Sequence, residues 1–375
     1  MNGKTVFADL HIHIGSTASG RPVKITASKQ MTIQAILKEA AERKGLGLIG
    51  VIDCHVPEVL EELRRLIEGG EAVELAGGGI RYHETTLLLG TEMEVYDDTC
   101  RGPIHVLCYF PDLETMGRFS RWMGRFQKNI ALSSQRSYVK VKDLQREVKA
   151  LEGLFIPAHI FTPYKSVYGK GVDVFMAEVL DLDLVDAVEL GLSADTAMAS
   201  QLVELDRFVF LTNSDAHSLA SIGREYQQLW LEEADFKHLK EGLQKGVGVM
   251  ANFGLDPKLG KYYREVSARI HWLSSAQRHR LARPPHEEGV SPMPQRKRPP
   301  YKHQIPLQFI PGLGPARINR LIETFGSEMY VLHYARLEEL ESILPSDIAR
   351  SIVKARIKEV SIEAGGRGRY GKVSY

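Results

Sequence analysis

Apolar and polar positions alternate in two distinct ways along the first two thirds of the chain. Short apolar, β-branched runs predict strands at residues 6–10, 48–52, 86–89, 104–109, 154–157, 187–190 and 208–211. Apolar residues that recur every three or four positions predict helices at 33–43, 56–67, 113–125, 141–151 and 234–244, with a last apolar run at 247–251. This alternation favours a β/α architecture with a mainly parallel sheet. The number of strands fits either a barrel or an open sheet, and periodicity does not choose between them.

The pattern changes beyond residue 265. Residues 274–304 are rich in Pro and in basic residues and have almost no apolar periodicity, which predicts an extended linker. Helical spacing returns at 305–363, and the last residues are Gly-rich and basic, which predicts a mobile tail. We therefore predict a barrel over 1–265, a basic Pro-rich linker over 266–304, a helical domain over 305–363 and a flexible tail over 364–375.

The composition is that of a soluble protein, with 43% hydrophobic and 25% charged residues. No apolar run approaches the roughly 20 residues that cross a bilayer, and the first residues lack the basic-then-apolar pattern of a signal peptide. Three cysteines, at 54, 100 and 108, cannot form a disulfide framework, which suits a reducing compartment. We expect a cytoplasmic protein with no membrane partner.

The charge is divided unevenly along the chain, although the net charge is only +1. From residue 266 onward there are 18 Lys and Arg against 10 Asp and Glu, whereas residues 1–265 carry 30 against 37. An acidic first part and a basic last part indicate a metal-binding region followed by a region that faces polyanions.

Imidazoles and carboxylates lie where the predicted strands end. Asp9, His11 and His13 alternate at the end of the first strand, so their side chains are expected on one face of it. The others follow later strands: Asp53, His55, Glu92, His159, Asp215 and His217. Functional groups gather at the C-terminal ends of strands in parallel β/α folds. His105 is the exception, because it lies early in its predicted strand.

These residue types predict a metal site. Neutral imidazole nitrogens and carboxylate oxygens are good ligands for Zn, Mn or Fe, and a carboxylate such as Glu92 can bridge two ions. Two neighbouring ions favour the hydrolysis of a phosphate ester. A single strand-end His is more often a hydrogen-bonded structural residue than a ligand, but His and Asp are poor core residues. The recurrence of His with an acid at several strand ends therefore favours the metal site.

The sequence Phe-Ile-Pro-Gly-Leu-Gly-Pro-Ala at 309–316 predicts the turn of a helix–hairpin–helix. Gly312 and Gly314 allow close approach of the backbone to a phosphate, and the next helix would direct its first N–H groups at that anion. A weaker form of the same turn follows at 344–349, so the sequence predicts two such hairpins in tandem. Basic side chains that follow them are candidate phosphate contacts: Arg317, Arg320, Lys354 and Arg356. The alternative is a helical hairpin that packs on the barrel or on another protein, but the basic flanking segments favour DNA binding.

Four motifs resemble the PHP (polymerase and histidinol phosphatase) superfamily of metallophosphoesterases: DLHIH at 9–13, GTE at 90–92, PAH at 157–159 and NSDAH at 213–217. The resemblance implies a distorted β/α barrel with a multinuclear metal site. Residues 187–195 and 298–307 are further similar to the endonuclease Q family. That family nicks DNA on the 5′ side of deaminated bases such as uracil and hypoxanthine, and at abasic sites. It implies damaged duplex or single-stranded DNA as the partner.

The resemblance also implies a ligand set. His11, His13, Glu92 and Asp215 would bind one ion, Glu92, His105 and His159 a second, and His217 with His55 a third. Asp9 would orient a His ligand, a role that carboxylates often take; with Asp215 and His217 it makes up the candidate catalytic residues. The implied cofactor is two or three divalent ions, zinc with magnesium or manganese for activity.

The sequence departs from the family pattern at several points. The stretch GSTASGRPVK lacks the further His of many members, residues 53–55 allow either Cys54 or His55 as the ligand, and no Cys after Cys108 could build the zinc module of endonuclease Q relatives. Glu189 is either an outer partner of the site or a buried, paired carboxylate. The segment FTPYKSVYG offers Thr162, Tyr164, Lys165 and Tyr168 as base contacts or as a plain surface loop. Two rival functions are a small-molecule phosphatase of the histidinol-phosphate type and a DNA-binding scaffold without catalysis.

Overall fold

The structure is a computed structural model that describes residues 3–281, 298–356, 361–369 and 371–374. Its strands, numbered in chain order, are β1 (Lys4–His13), β2 (Leu48–Ile52), β3 (Val73–Glu74), β4 (Ile80–Tyr82), β5 (Thr85–Val95), β6 (Ile104–Phe110), β7 (Arg136–Ser137), β8 (Leu154–Pro157), β9 (Val188–Glu189), β10 (Phe210–Leu211), β11 (Tyr226–Leu231), β12 (Val249–Gly254), β13 (Tyr301–His303), β14 (Ser361–Glu363) and β15 (Lys372–Ser374).

The helices cover the strands and build the C-terminal region. They are α1 (Ile33–Lys38), α2 (Pro57–Glu68), α3 (Leu113–Met123), α4 (Val141–Ala150), α5 (Thr196–Ala199), α6 (Phe236–Lys245), α7 (Tyr263–Leu281), α8 (Pro315–Phe325), α9 (Glu328–His333), α10 (Leu337–Glu341) and α11 (Ser346–Arg356). A π-helical turn, Glu39–Lys44, continues α1. No helix in the described ranges is both long and apolar enough to span a membrane.

The strands form a distorted barrel. Hydrogen-bonded neighbours run β1–β2–β5–β6–β8, and Asp186 N donates to Phe155 O to carry the wall on towards the pair β9–β10. The chain then returns to β1, where Ile12 forms a bridge with Ala216. Because the path closes on its starting strand, the C-terminal ends of β1, β9 and β10 meet at one rim.

Alternation along the strands builds two apolar layers. In β1, Val6, Ala8 and Leu10 pack in one cluster with Leu154 and other side chains from the remaining wall strands. Phe7, between them in sequence, belongs to a second cluster that takes in the apolar faces of the surrounding helices. Successive side chains of a strand point to opposite faces, so the short apolar runs of the sequence supply both layers.

The expectation of a mainly parallel sheet is wrong. β1–β2 and β2–β5 are parallel, but β5–β6, β6–β8, β1–β11 and β11–β12 are antiparallel. Only residues 96–103 join β5 to β6, which is too short for the crossover helix that parallel neighbours require. The fold is nevertheless the predicted α/β class with a distorted barrel.

The extended linker predicted over 266–304 is also wrong where the structure describes it. α7 continues to Leu281 and buries Val266, Ile270 and Leu273, whose spacing of four and three residues is helical. At the other end of the segment, β13 pairs in parallel with β12. The residues between, 282–297, lie outside the described ranges.

The predicted mobile tail, 364–375, supplies one strand of a hairpin, since β15 lies within it and β14 just before it. β14 and β15 pair antiparallel, and Gly365 N and Gly371 N donate to the carbonyls of Lys258 and Leu259 on the barrel. Backbone hydrogen bonds therefore tie the described part of residues 364–375 to the first domain.

The helices α8–α11 dock on the barrel through a mostly aromatic contact. The His333 ring stacks on Phe7 with 4.4 Å between centroids, and its Nε2 lies 2.6 Å from the hydroxyl of Tyr226. Lys44 Nζ and Glu328 Oε2 form a buried ion pair at 2.9 Å beside it. Apart from the linker, the predicted division of the chain into four parts stays a prediction.

Candidate metal centre

The end of β1 supplies two imidazoles to one group of candidate ligands. His11 Nε2 and His13 Nε2 lie 3.2 Å apart, and both rings are fully buried. Asp215 Oδ1 lies 3.5 Å from the first nitrogen and 3.4 Å from the second. The alternation of His11 and His13 brings both to the same side of the strand, as the sequence predicts.

Glu92, His105 and His159 form a second group. His105 Nδ1 and His159 Nε2 lie 2.7 Å and 3.2 Å from Glu92 Oε1. The exceptional place of His105, early in its strand, follows from the antiparallel pairing of β5 and β6, which sets His105 opposite Glu94. The start of β6 therefore lies at the same rim as the end of β5.

Glu92 lies between the two groups. Its Oε1 is 3.8 Å from His11 Nε2, and its Oε2 is 3.5 Å from His13 Nε2. In each group the potential ligand atoms lie within 4.8 Å of one another. One carboxylate within reach of both groups has the position of a bridging ligand.

Two further carboxylates orient the imidazoles of the first group. Glu189 Oε1 lies 3.0 Å from His11 Nδ1, and Asp53 Oδ2 lies 3.1 Å from His13 Nδ1. Such partners fix the tautomer and direct the other ring nitrogen at the ion. Glu189 is thus an outer partner of the site, whereas Cys54 turns away and its thiol donates to Val51 O.

Asp9 does not contact an imidazole. Its carboxylate accepts hydrogen bonds from the backbone N–H groups of Ser214 and Gly223, at 3.1 and 2.8 Å. The expectation that Asp9 orients a His ligand is therefore wrong. It anchors the loop that carries Asp215, because a buried carboxylate on β1 is the acceptor that this loop needs.

His55 and His217 do not complete a third group. The described residues hold two sets of three ligand atoms, and neither includes these two rings. His55 Nδ1 lies 2.8 Å from Thr91 Oγ1, while its buried Nε2 has no protein partner. His217 Nδ1 lies 2.9 Å from Asp215 O, and the ring is one-third exposed.

The site is strongly anionic. Burial alone lowers the pKa of His11, but the carboxylates of Glu189 and Asp215 outweigh it and raise that pKa to about 10. Burial would raise the pKa of Glu92, yet His105 and Lys24 hold it well below its usual range. Buried carboxylates need nearby cations, and an imidazole–carboxylate donor set suits divalent metals. The residues present thus fit a site for divalent metal ions.

Two lysines, neither of which the metal motifs indicate, already neutralise part of this charge. Lys24 Nζ lies 3.1 Å from Glu92 Oε2 and donates to Ser134 Oγ at 2.6 Å. Lys165 Nζ lies 2.7 Å from Glu94 Oε2. The alternation of Glu92 and Glu94 along β5 could have indicated Glu94, but no local pattern marks Lys24.

Three residues at the rim have a left-handed backbone. The φ angles are 83° at Asp53, 31° at His159 and 47° at Asp215. Non-glycine residues with such angles are held there by their surroundings and concentrate at functional sites.

A cavity of about 390 Å³ opens above the two ligand groups. Tyr164 and Lys165 line it, together with Lys24 and Ser134. Of the other base-contact candidates, Tyr168 is fully buried with its hydroxyl on Glu204, and Thr162 is not a lining residue. The FTPYKSVYG segment is therefore split between the cavity wall and the core.

In the C-terminal region the predicted phosphate contacts fall into two classes. Gly312 adopts φ 78° in the turn before α8, and Gly312, Gly314, Arg317, Arg320 and Lys354 are exposed. Arg317 donates to the carbonyl of Gly312. Arg356 is partly buried and donates to the carbonyls of Ala335 and Val331, so it holds α9 and α11 together.

No protein-family model matches the chain. It is 50% identical over 384 residues to the uncharacterized protein YqxK of Bacillus subtilis, with 99% of each chain covered. The uncharacterized protein MJ0043 of Methanocaldococcus jannaschii is 33% identical over 249 residues, which cover 57% of this chain and 31% of that protein.

Two crystal structures are similar over almost the whole length, each with 27% identity and a TM-score of 0.79. One is the lesion-specific endonuclease PfuEndoQ from Pyrococcus furiosus, with 99% of this chain and 95% of that chain covered. The other is endonuclease Q in complex with a 27-mer duplex substrate that has an abasic lesion at the active site, with 99% and 96% covered. The chain therefore belongs to one family with YqxK, and its fold is that of endonuclease Q, a likeness that supports the resemblance of its motifs to the PHP superfamily.

Proposed function

We propose that this protein is a metal-dependent DNA repair endonuclease that hydrolyses the phosphodiester on the 5′ side of deaminated bases, uracil or hypoxanthine, or of abasic sites. The observation that carries the proposal is the pair of ligand groups that Glu92 joins at the floor of an open cavity. The full-length similarity to a lesion-specific endonuclease supports damaged DNA as the substrate class.

The first group, His11, His13 and Asp215, would hold one divalent ion, and Glu92 with His105 and His159 a second. When bound, such ions lower the pKa of water and neutralise charge that develops on a phosphoryl group. We propose zinc as a resident ion, with magnesium or manganese for activity. His55, with its unpartnered Nε2, and His217 remain candidates for a third ion.

The chain's own residues bind and orient the substrate. Lys24, which lines the cavity beside Glu92, presents an ammonium group to a phosphate oxygen. Tyr164 is 57% exposed at the cavity wall and offers a ring face to a base. Because an altered nucleotide must leave the base stack to reach a recessed site, the cavity would receive it in the flipped position.

The C-terminal helices would grip the duplex. The exposed Gly312 and Gly314 precede α8. Pro315 at the start of this helix has no N–H, and the N–H of Arg317 donates to Gly314 O, so the N–H of Ala316 is the one that the first turn would offer to a phosphate. Arg320 and Lys354 are exposed and can add contacts, whereas Arg317 first has to leave the Gly312 carbonyl. We do not propose Arg356 as a phosphate contact, because its guanidinium already donates to two backbone carbonyls.

The proposal is tested by removing one ligand. Asp215→Asn keeps the shape of the side chain but removes its charge, so incision of lesion-containing DNA should disappear while DNA affinity changes little. Metal content by mass spectrometry should fall in parallel. An Asp215→Asn enzyme that still incises at the wild-type rate would rule out this metal centre. Release of phosphate from small monoesters, without incision of DNA, would favour the histidinol-phosphatase type.

A further inference from the structure

We propose that a basic aromatic surface beside the metal centre binds the single-stranded nucleic acid that leads away from the cavity. We define this surface by the exposed side chains Arg125, Lys128, Arg136, Tyr138, Lys140 and Lys142. The inference rests on the proposed endonuclease function, because it assigns a route to the strand that this enzyme would cut.

The surface begins where the cavity ends. Ser133, Ser134 and Gln135 line the cavity, and the next two residues form β7. This strand pairs with β5 at Glu94 and Val95, directly beyond the candidate ligand Glu92. A strand that leaves the cavity on this side therefore meets Arg136 first.

Arg136 lies between two exposed rings. Its guanidinium carbon is 4.9 Å from the Tyr96 centroid and 5.1 Å from the Tyr138 centroid. The rings are 37% and 56% exposed. Unpaired bases stack on tyrosine rings and on arginine planes, and this stacking tolerates any base sequence. The three side chains lie together at the surface and form a platform on which bases could stack.

The charge of the segment suits a polyanion. Residues 122–146 contain six Lys and Arg but one acidic residue, Asp143, which pairs with Arg146 at 2.8 Å. In the described ranges no carboxylate pairs with the other five cations. Arg125 lies 5.9 Å from the Trp122 ring and 5.6 Å from the Phe126 ring. Both rings line the same groove as Tyr138 and Lys140, with Glu147 as a second acid at its edge.

The combination selects a single strand over a duplex. A duplex offers phosphates but hides the faces of its bases, so it would use the cations and leave the stacked tyrosines without a partner. A single strand offers phosphates and base faces together. The exposed aromatic rings therefore favour a single strand as the ligand of this surface.

The test measures binding of a fluorescein-labelled oligothymidylate of about 15 nucleotides, close to the upper site size of such surfaces, by anisotropy with the full chain. Arg136→Ala with Tyr138→Ala should weaken binding about tenfold or more, since each stacked base contributes strongly. The matched control is Lys4→Ala with Trp230→Ala, which removes a cation and an aromatic ring at the opposite end of β1. This control should bind like the wild type.

Single variants and a crosslink separate the alternatives. Tyr138→Ala alone should weaken binding, and an oligonucleotide with 5-iodouracil should crosslink to Tyr138 or Tyr96. Wild-type affinity of Tyr138→Ala, with a loss only in Arg136→Ala, would mean a general polyanion site and would overturn the proposal. Crosslinks confined to the C-terminal helices would overturn it as well.

Incision of an abasic duplex, measured with the same preparations, tests the proposed endonuclease function separately from the surface. If the wild type does not incise but the double variant binds oligothymidylate more weakly than the wild type does, the proposed function is wrong and the assignment of the surface is supported. If the wild type incises and the double variant binds oligothymidylate normally with an unchanged Tm, only the surface assignment fails.

Discussion

Glu189 Oε1 lies 3.0 Å from Nδ1 of His11, and both side chains are fully buried. This contact turns Nε2 of His11 towards His13 and Asp215. The same carboxylate accepts hydrogen bonds from the N–H of His159 and from the amide of Asn213, both at 2.8 Å. One buried acid thus joins the strand ends that hold both ligand groups.

Replacing Glu189 with Gln should weaken metal binding about tenfold, the low end of what the loss of an outer partner causes. The amide of Gln would be a poorer acceptor than the carboxylate for His11 Nδ1, and its NH₂ group would face a second donor, such as the N–H of His159. Competition with a zinc chelator measures the effect. Glu204→Gln is the control, since Glu204 is a carboxylate that accepts from Tyr168 and from backbone N–H groups away from the ligands. Equal zinc affinity in Glu189→Gln and wild type would contradict the role of Glu189.

Lys24→Met should lower kcat about 100-fold, the scale on which the loss of one charge-stabilising donor acts. The ammonium beside Glu92 disappears, while the cavity keeps its size. DNA affinity should change little, because one phosphate contact among many is lost. Lys29→Met, at an exposed lysine five residues further on, is the control for kcat measured on lesion-containing duplex. If both variants have the same kcat, Lys24 has no part in the reaction.

Gly314→Val should weaken duplex binding about tenfold and lower Tm only slightly, because Val is a poorer N-cap of α8 than Gly. A Cβ added at Gly314 meets nothing within 4 Å, so the fold tolerates it, but it lies where a phosphate would approach. Gly312 is a poorer test, since its φ of 78° and a contact of 3.0 Å to Ile348 make any side chain there strained. Anisotropy with an undamaged duplex gives the affinity.

Arg320→Ala should make duplex binding less sensitive to salt. The slope of the logarithm of affinity against the logarithm of salt concentration should fall in magnitude by about one. Unchanged binding in both variants would leave the helical domain without a DNA role.

Glu225 should make stability depend on pH. Burial raises its pKa to about 8, although Arg224 opposes this, and its Oε2 has no partner. Between its usual pKa of about 4.5 and 8, the folded state holds a proton that the unfolded state has lost. The free energy of unfolding therefore falls as pH rises through this window.

Glu225→Gln has no carboxyl group to ionise at this position, so its free energy of unfolding should not fall in this way. The difference from the wild type should grow from pH 5 to pH 8.5 and reach a few kcal/mol, on the order expected for a pKa shift of this size. Urea unfolding at both pH values measures it. Glu84→Gln, at an exposed glutamate, is the control. A Glu225→Gln difference that does not change with pH would show that Glu225 is ionised in the folded protein.

Much of the barrel is predictable because its strands and helices have strong local patterns. Residues 48–52 and 154–157 are strands with the predicted bounds, and the histidines at the rim are marked by their places after such runs. β11 was not predicted, since its alternation of Tyr226, Gln227 and Gln228 mixes buried polar with apolar side chains. The basic composition of the segment also hides α7, because the exposed basic residues of its last turn belong to a helix that buries one apolar side.

The outer parts of the site are less predictable, because they depend on contacts between distant segments. Nothing local separates Asp9, which binds loop amides, from Asp53, which orients His13. Lys24 reaches Glu92 across 68 positions of the chain. Such roles follow from the closing of the barrel and not from any spacing within one motif.

The central claim is tested most directly by locating the cut. Duplexes that contain one uracil, hypoxanthine or abasic site, or no lesion, are incubated with the enzyme and Mg²⁺ or Mn²⁺, with EDTA as the control, and the products are sized at single-nucleotide resolution. We expect metal-dependent incision on the 5′ side of the lesion and an intact undamaged strand. Incision that ignores the lesion, or that persists in EDTA, would contradict the account.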